Sequence, residues 1–311
     1  MSQNNTGIKK GARDEAIFRL CWILFVAAFG FGSDCPLHAG PAAVSVPPED
    51  KSSFHLFRPT PVHLMRELSA DRPDKTESPY TVDAGHFQAE MDMIAFTHDR
   101  YNSERIHSRS ASWGFGILNL KVGLLNDVDL QMVVETWNTS RIDCKSGCRS
   151  TNSDGFGDTT MRCKVNLWGN DAGASSLSLM PFFKLPTGQD GVGNSAWEGG
   201  LSIPWAVTIS ERWSIGFTHV FGILQDQDGN GYQGEFSNSV SLGRSVTDKL
   251  GAYVEFFGAV SNGDKVPWVG TFDMGLTYAV DENIQIDAGV NIGLTRSADD
   301  WNPFLGLTLR F

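Results

Sequence analysis

From Phe87 to the C-terminus, apolar and polar residues take turns along the chain. Phe87, Ala89, Met91 and Met93 alternate with Gln88, Glu90 and Asp92, and Val128, Leu130, Met132 and Val134 with Asp129, Gln131 and Glu135. Later stretches repeat the pattern, as in Leu201, Ile203, Trp205, Val207 and Ile209, and in Leu305, Leu307, Leu309 and Phe311 around Gly306, Thr308 and Arg310. A period of two places one greasy and one polar face on a strand. Twelve such strands are predicted, beginning near Phe87, Trp113, Val128, Met161, Leu177, Leu201, Trp213, Phe236, Leu250, Trp268, Ile284 and Asn302. In the second, the apolar phase changes between Ile117 and Leu118, which points to a bulge or a miscounted strand edge.

The connections alternate too. Those at 126–127, 169–173, 210–212, 247–249 and 281–283 are tight, whereas those at 98–110, 138–156, 187–197, 224–234, 261–267 and 295–301 are mostly longer. Short turns on one side and long loops on the other, between strands of about ten residues, describe a tilted transmembrane barrel. The predicted fold class is therefore all-β, an antiparallel up-and-down barrel of about 12 strands in the bacterial outer membrane. An even count puts both ends of the barrel on the periplasmic side. Trp113, Trp137, Trp168, Trp197, Trp213, Trp268, Tyr278 and Trp301 fall at strand ends, where they would form two interfacial girdles. The terminal Phe311 resembles the C-terminal signal that outer-membrane proteins present to the barrel-assembly machinery. The last strand must pair with the first, which would set Arg310 beside Glu90 and Asp92.

What precedes the barrel reads differently. Lys9, Lys10 and Arg13 lead into an apolar run at 20–31, too short for the ~20 residues of a spanning helix. We expect a signal peptide over 1–39, a linker and periplasmic lead-in over 40–84, and the barrel over 85–311. The run 71–83 is dense in charge and turn formers and opens directly onto Gly85-His86-Phe87. It either enters the lumen as a plug or, the plainer expectation, packs as a turn beneath the barrel. This preface, the strand start at Gly157-Asp158 and the closing strand resemble the "putative MetA-pathway of phenol degradation" family of outer-membrane transporters. The resemblance implies passage of phenolic or other hydrophobic compounds.

Composition narrows the chemistry. A formal net charge of -11 argues against nucleic acid as a partner, since phosphate binding needs a basic footprint. Cys144 and Cys148 flank a polar three-residue turn and suit a small disulfide, while Cys163 falls on the apolar face of its strand. Asp226, Asp228 and Asn230 carry the first half of a calcium-loop pattern in a Gly-rich hairpin, without the closing Glu. No cofactor is expected and no committed metal site. Ser261 and His219 would be the residues of a lipid hydrolase at the rim, but nothing in the sequence brings them together.

The polar face carries most of the argument. Glu90, Asp92, Asp129, Glu135, Glu255, Asp273 and Asp287 project inward in this register, opposed by Arg162, Lys164, Lys184 and Arg310. Acid on one side and base on the other would set a field across the lumen. These groups either line a solvated path or pair across it. The expected function is a channel for small organic solutes, with outer-membrane lipid and the solute as partners. A rim hydrolase and a non-transporting structural barrel are the alternatives.

Overall fold

In a computed structural model, residues 50–100, 108–145, 149–226, 229, 231–262 and 268–311 are described. The expected signal peptide, Cys148, Asp228 and Asn230 lie outside the described residues. Strands β1 (Phe87–Asp99), β2 (Ser108–Leu125), β3 (Val128–Cys144), β4 (Thr151–Gly155), β5 (Thr159–Trp168), β6 (Ser175–Leu185), β7 (Glu198–Ser210), β8 (Trp213–Gln225), β9 (Tyr232–Ser245), β10 (Leu250–Ser261), β11 (Val269–Ala279), β12 (Ile284–Gly293) and β13 (Trp301–Arg310) form one antiparallel sheet. Each strand pairs with its neighbours in the chain except that β5 pairs with β3 rather than β4, and β13 returns to β1, so the sheet closes. β3 pairs with β4 over Asn138–Ile142 and with β5 over Val128–Val134. The two short strands thus share one position, and the barrel has twelve staves. Much of the stretch expected as the 138–156 loop is strand, a hairpin that carries β3 past the rim.

Closure is made by backbone pairing from Gln88↔Arg310 to His98↔Trp301. Phe87 and Phe311 finish it with reciprocal amide-to-carbonyl bonds of 3.2 and 2.8 Å. The expected charge brace at this seam is corrected. Arg310 lies opposite Gln88, while Glu90 faces Thr308 and Asp92 faces Gly306. The guanidinium instead donates to Asn283 Oδ1 and to the carbonyls of Arg66 and Glu282 at the periplasmic mouth.

The phase change in β2 falls at Gly116, whose φ of 64° lies in the left-handed region that glycine tolerates; pairing with β1 and β3 keeps its register across this residue, so the expected bulge is instead a local kink with no inserted residue. Thr136 on β3 steadies it by donating to the carbonyls of Phe115 and Gly116 at 2.6 and 2.8 Å. Outward positions therefore run Trp113, Phe115, then Leu118 and Leu120.

Burial is inverted relative to a soluble domain. Trp113, Trp137, Trp197, Trp268 and Trp301 are exposed at the loop end and Trp168 and Tyr278 at the turn end, with Phe183, Phe221, Phe256 and Leu276 exposed between them. The interior buries Lys121, Lys164, Glu90, Asp129, Glu255, Asp273 and Asp287. An apolar belt between aromatic girdles around a polar interior is the arrangement that lipid requires.

Residues 50–84 are not a turn packed beneath this barrel, which overturns the plainer of the two expectations. The chain touches the periplasmic end of β2, where Leu56 N donates to Leu124 O at 2.9 Å, and then runs up into the lumen. A one-turn 3-10 segment at Val62–Leu64 precedes the entry. Gly123 makes room for it, since a Cβ there would stand 2.1 Å from the Asp83 carbonyl.

A closed sheet with reciprocal end-to-end pairing resists detergent until heated. The unboiled protein is expected to migrate differently from the boiled protein on a denaturing gel, and identical mobility would contradict closure.

Candidate functional site

Strand alternation turns seven carboxylates and several cations into the lumen, and burial makes each of them costly unless it is paired. The lead-in supplies the partners. Its run Asp71-Arg72-Pro73-Asp74-Lys75-Thr76-Glu77 crosses the barrel with Arg72 and Lys75 toward the acidic wall and Asp71 and Glu77 toward the basic wall, while Asp74 meets the Ser241 hydroxyl.

On the acidic side, Arg72 donates to both Asp287 oxygens at 2.8 and 3.1 Å and to Asp92 at 2.6 Å. This fork-to-carboxylate geometry is the strong form of the ion pair. Burial works against the charged guanidinium, but the Asp287 and Asp92 carboxylates outweigh it and push its pKa upward. Phe304 lies under the same guanidinium, 5.8 Å from ring centre to Cζ. Lys75 reaches Asp273 at 2.9 Å and Thr271 at 2.8 Å. The backbone amides of Lys75 and Thr76 both donate to Glu255, at 3.2 and 2.9 Å.

On the basic side, Asp71 sits between Lys121 at 2.6 Å and Lys164 at 2.5 Å. Burial alone would raise this carboxyl, yet the two ammonium groups hold it well below the usual carboxylate range. Glu90 pairs with Lys121 and accepts the Asp71 amide. Arg162 meets Glu77 at 2.6 Å. Asn166 and Ser178 donate to the Pro79 carbonyl, and Asp129 accepts the Val82 amide at 3.0 Å.

A second cluster fastens the lead-in at the periplasmic mouth. Lys51 and Arg66 share Asp171 at 2.6 and 2.9 Å, and both also approach Asp83, at 3.3 and 3.4 Å. The two cations offset the burial of Asp171, whose pKa is lowered by these contacts and by the Asn126 amide.

Of the residues expected to face the lumen, Glu90, Asp92, Asp129, Arg162, Lys164, Glu255, Asp273 and Asp287 converge on the lead-in. Three do not. Glu135 accepts from Asn138 at 2.8 Å beneath the outer loops. Lys184 pairs with Glu198 at 2.8 Å and Asp158 at 3.2 Å near the same rim, and Arg310 stays at the opposite mouth. Lys121 was missed by the sequence reading because it follows the kink at Gly116, where the inward phase shifts. Gly306 was missed as well. A Cβ there would stand 2.0 Å from an Arg72 guanidinium nitrogen, so the glycine is the socket for that side chain. Elsewhere, Cys144 at the end of β3 is disulfide-bonded. Asp226 heads a hairpin turn in which its amide donates to the Gly231 carbonyl at 3.0 Å.

Gly306→Val should displace Arg72 and leave Asp287 buried without its partner, and Arg72→Ala should do so directly. Breaking a buried pair costs about 3 kcal/mol. Both variants are expected to speed tryptic cleavage within the lead-in while keeping heat-modifiable mobility. An unchanged cleavage rate would contradict the socket.

No curated protein sequence matches the chain. Among solved structures, the COG4313 outer membrane channel from Pseudomonas putida F1 superposes with a TM-score of 0.58 at 14% identity, over 78% of this chain and all 100% of that one. The KdgM porin in complex with disordered oligogalacturonate gives 0.42 at 8% identity over 73% and 99% of the two chains. A deltaS2 mutant of the TodX monoaromatic hydrocarbon channel gives 0.38 at 10% over 72% and 89%. The first of these shares the fold, that of a bacterial outer-membrane barrel. Residues 70–311, which begin at the lead-in loop and run to the closing Phe311, match the family described as "Putative MetA-pathway of phenol degradation", and the chain belongs to that family.

Proposed function

We propose that this protein is an outer-membrane channel for small organic solutes, closed in its resting state by the lead-in loop at 71–78. The observation that carries this reading is the nature of the block. The ties between loop and wall are chiefly hydrogen bonds and ion pairs, and such ties can be exchanged for water. Cavities flank the block on both sides. One of about 330 Å³ lies on the turn side, lined by Ser214, Ser241, Thr277 and Tyr253. Another of about 270 Å³ lies on the loop side, lined by Ala95, Ile117, Val133, Asn119 and Phe304. A solute passing from one to the other crosses the level of Arg72–Glu77.

The lining favours amphipathic solutes. In the loop-side cavity the amides of Asn119, Asn291 and Asn302 and the charged groups of the block stand beside Phe304, Ile117 and Val133, and the turn-side cavity adds hydroxyls, a path suited to a small ring bearing a hydroxyl. The family's phenol-degradation label accords with that class. A hydrolase reading gains nothing from the geometry. Ser261 donates to Glu235 at 3.2 Å, whereas His219 pairs with Asn238 at 2.5 Å on the outer face of the barrel.

Planar-bilayer recording tests the proposal. The intact protein is expected to stay mostly closed, and removal of 71–80 to give sustained conductance steps. Silence from both forms would overturn the channel.

The loop also carries a titrating group. Burial raises the Asp74 carboxyl from 3.8 to about 7, opposed by the Ser241 hydroxyl and reinforced by Glu77 and Asp71. A carboxyl whose docked pKa is raised binds its proton more tightly docked than free. Its contribution to docking is therefore full at low pH and declines as pH rises from about 4 through 7. Open probability should increase over that window, and Asp74→Asn should flatten the increase. A profile identical in the variant would exclude Asp74 as its source.

A further inference from the structure

The outward row of β8 reads Ile215, Phe217, His219, Phe221 and Ile223, and that of β9 reads Phe236, Asn238, Val240 and Leu242. Polar side chains therefore interrupt an otherwise apolar belt at one place, on two adjacent strands. His219 lies six residues from either end of β8 (Trp213–Gln225), so the interruption sits at mid-height rather than at a girdle. The two residues are direct cross-strand partners, and Nδ1 of His219 stands 2.5 Å from Oδ1 of Asn238. His219 also stacks on Phe236 with the rings 7° from parallel, which fixes it on the outer surface. Opposite Asn238 on β10 is Gly258, which has no side chain to cover the amide, and opposite His219 on β7 is Ile203.

One hydrogen bond does not satisfy this pair. If Nδ1 donates to Oδ1, Nε2 is left as an acceptor and the Asn238 NH₂ as a donor. If the amide is turned the other way, Nε2–H becomes the donor and Oδ1 the acceptor. In both cases the pair presents unused N–H bonds, two in number, side by side with an acceptor. Among the described residues neither has another partner, and lipid tails offer none. A surface with donors next to an acceptor is complementary to itself under a two-fold rotation, which is the geometry of an isologous dimer contact. Polar side chains facing out of a membrane segment gain most when they bond across to another protein surface.

We infer that the β8–β9 face is where two copies of this chain meet in the membrane. The Asn238 amide of each copy bonds the His219 ring of the other, and the aromatic side chains Phe217, Phe221 and Phe236 pack around the paired groups.

The test is the mass of the full-length protein taken from outer membranes in mild detergent and in lipid nanodiscs. The wild type should carry twice the chain mass. His219→Leu and Asn238→Leu should each weaken association roughly tenfold or more, with heat-modifiable mobility retained. The exchange variant H219N/N238H keeps donors beside an acceptor and should restore the dimer. A monomeric wild type in both media, or dimers undiminished by leucine, would overturn the inference. If either leucine variant fails to form a barrel, the exchange variant decides, with a dimer supporting the contact and a monomer refuting it.

Discussion

The structure depends on the match between a charged wall and a charged strand of chain laid against it. Barrel geometry forces alternate residues inward, and here those residues include Asp92, Asp273, Asp287 and Glu255 on one side and Lys121, Arg162 and Lys164 on the other. Twelve staves enclose more space than side chains fill in an eight-stranded barrel and less than an open porin leaves. Without the lead-in, the carboxylates crowded on the acidic wall and most of the cations crowded on the basic wall would lack a partner within reach. With it, Arg72 and Lys75 meet the acids while Asp71 and Glu77 meet the bases. The transverse field of the wall orients the loop, because turning it over, so that Arg72 and Lys75 faced Lys121, Arg162 and Lys164, would bring like charges together.

That match also explains the small residues around the loop. A carboxylate can accept a guanidinium fork only if the strand between them lets it approach, and Gly306 does so on β13. Gly123 does the same for the carbonyl of Asp83, and Gly216 for the methyl group of Thr76, which would stand 2.9 Å from an added Cβ. The backbone participates as fully as the side chains. Glu255 spends both oxygens on consecutive amides of the loop, so the loop is held by its path through the lumen as well as by its charges.

How much of this the sequence carried follows from which interactions are periodic. Strand number, the short-turn and long-loop sides, the girdles and the phase change near Gly116 were legible, because lipid on one face and polar contents on the other impose a period of two along most of the barrel. The inward set was legible for the same reason. Its partners were not. Whether Asp287 faces water, another wall residue or Arg72 depends on a contact 215 residues distant along the chain, and no local pattern records it. The misjudged role of Arg310 has the same origin. A strand pair known to be adjacent still has to be set in register, and setting the acids two residues out of step exchanges Gln88 for Glu90 as the neighbour of Arg310. Lys121 was lost to the one place where the period itself breaks.

The choice of polar ties over an apolar plug has a consequence for how such a lumen can work. An apolar plug released into a wet barrel would expose its side chains to water at a cost proportional to their area. A charged loop moving off a charged wall exchanges protein partners for water molecules and for other wall charges, so the two ends of the movement differ by far less than the sum of its contacts. The cluster of Lys51, Arg66, Asp83 and Asp171 at the mouth ties the chain on both sides of the loop, through Lys51 and Arg66 before it and Asp83 after it. A displaced loop therefore remains tethered at both ends, and the distance over which it must find its partners again stays short. Strong individual contacts and a shallow overall equilibrium are compatible in this arrangement because the contacts are polar and the tether is permanent.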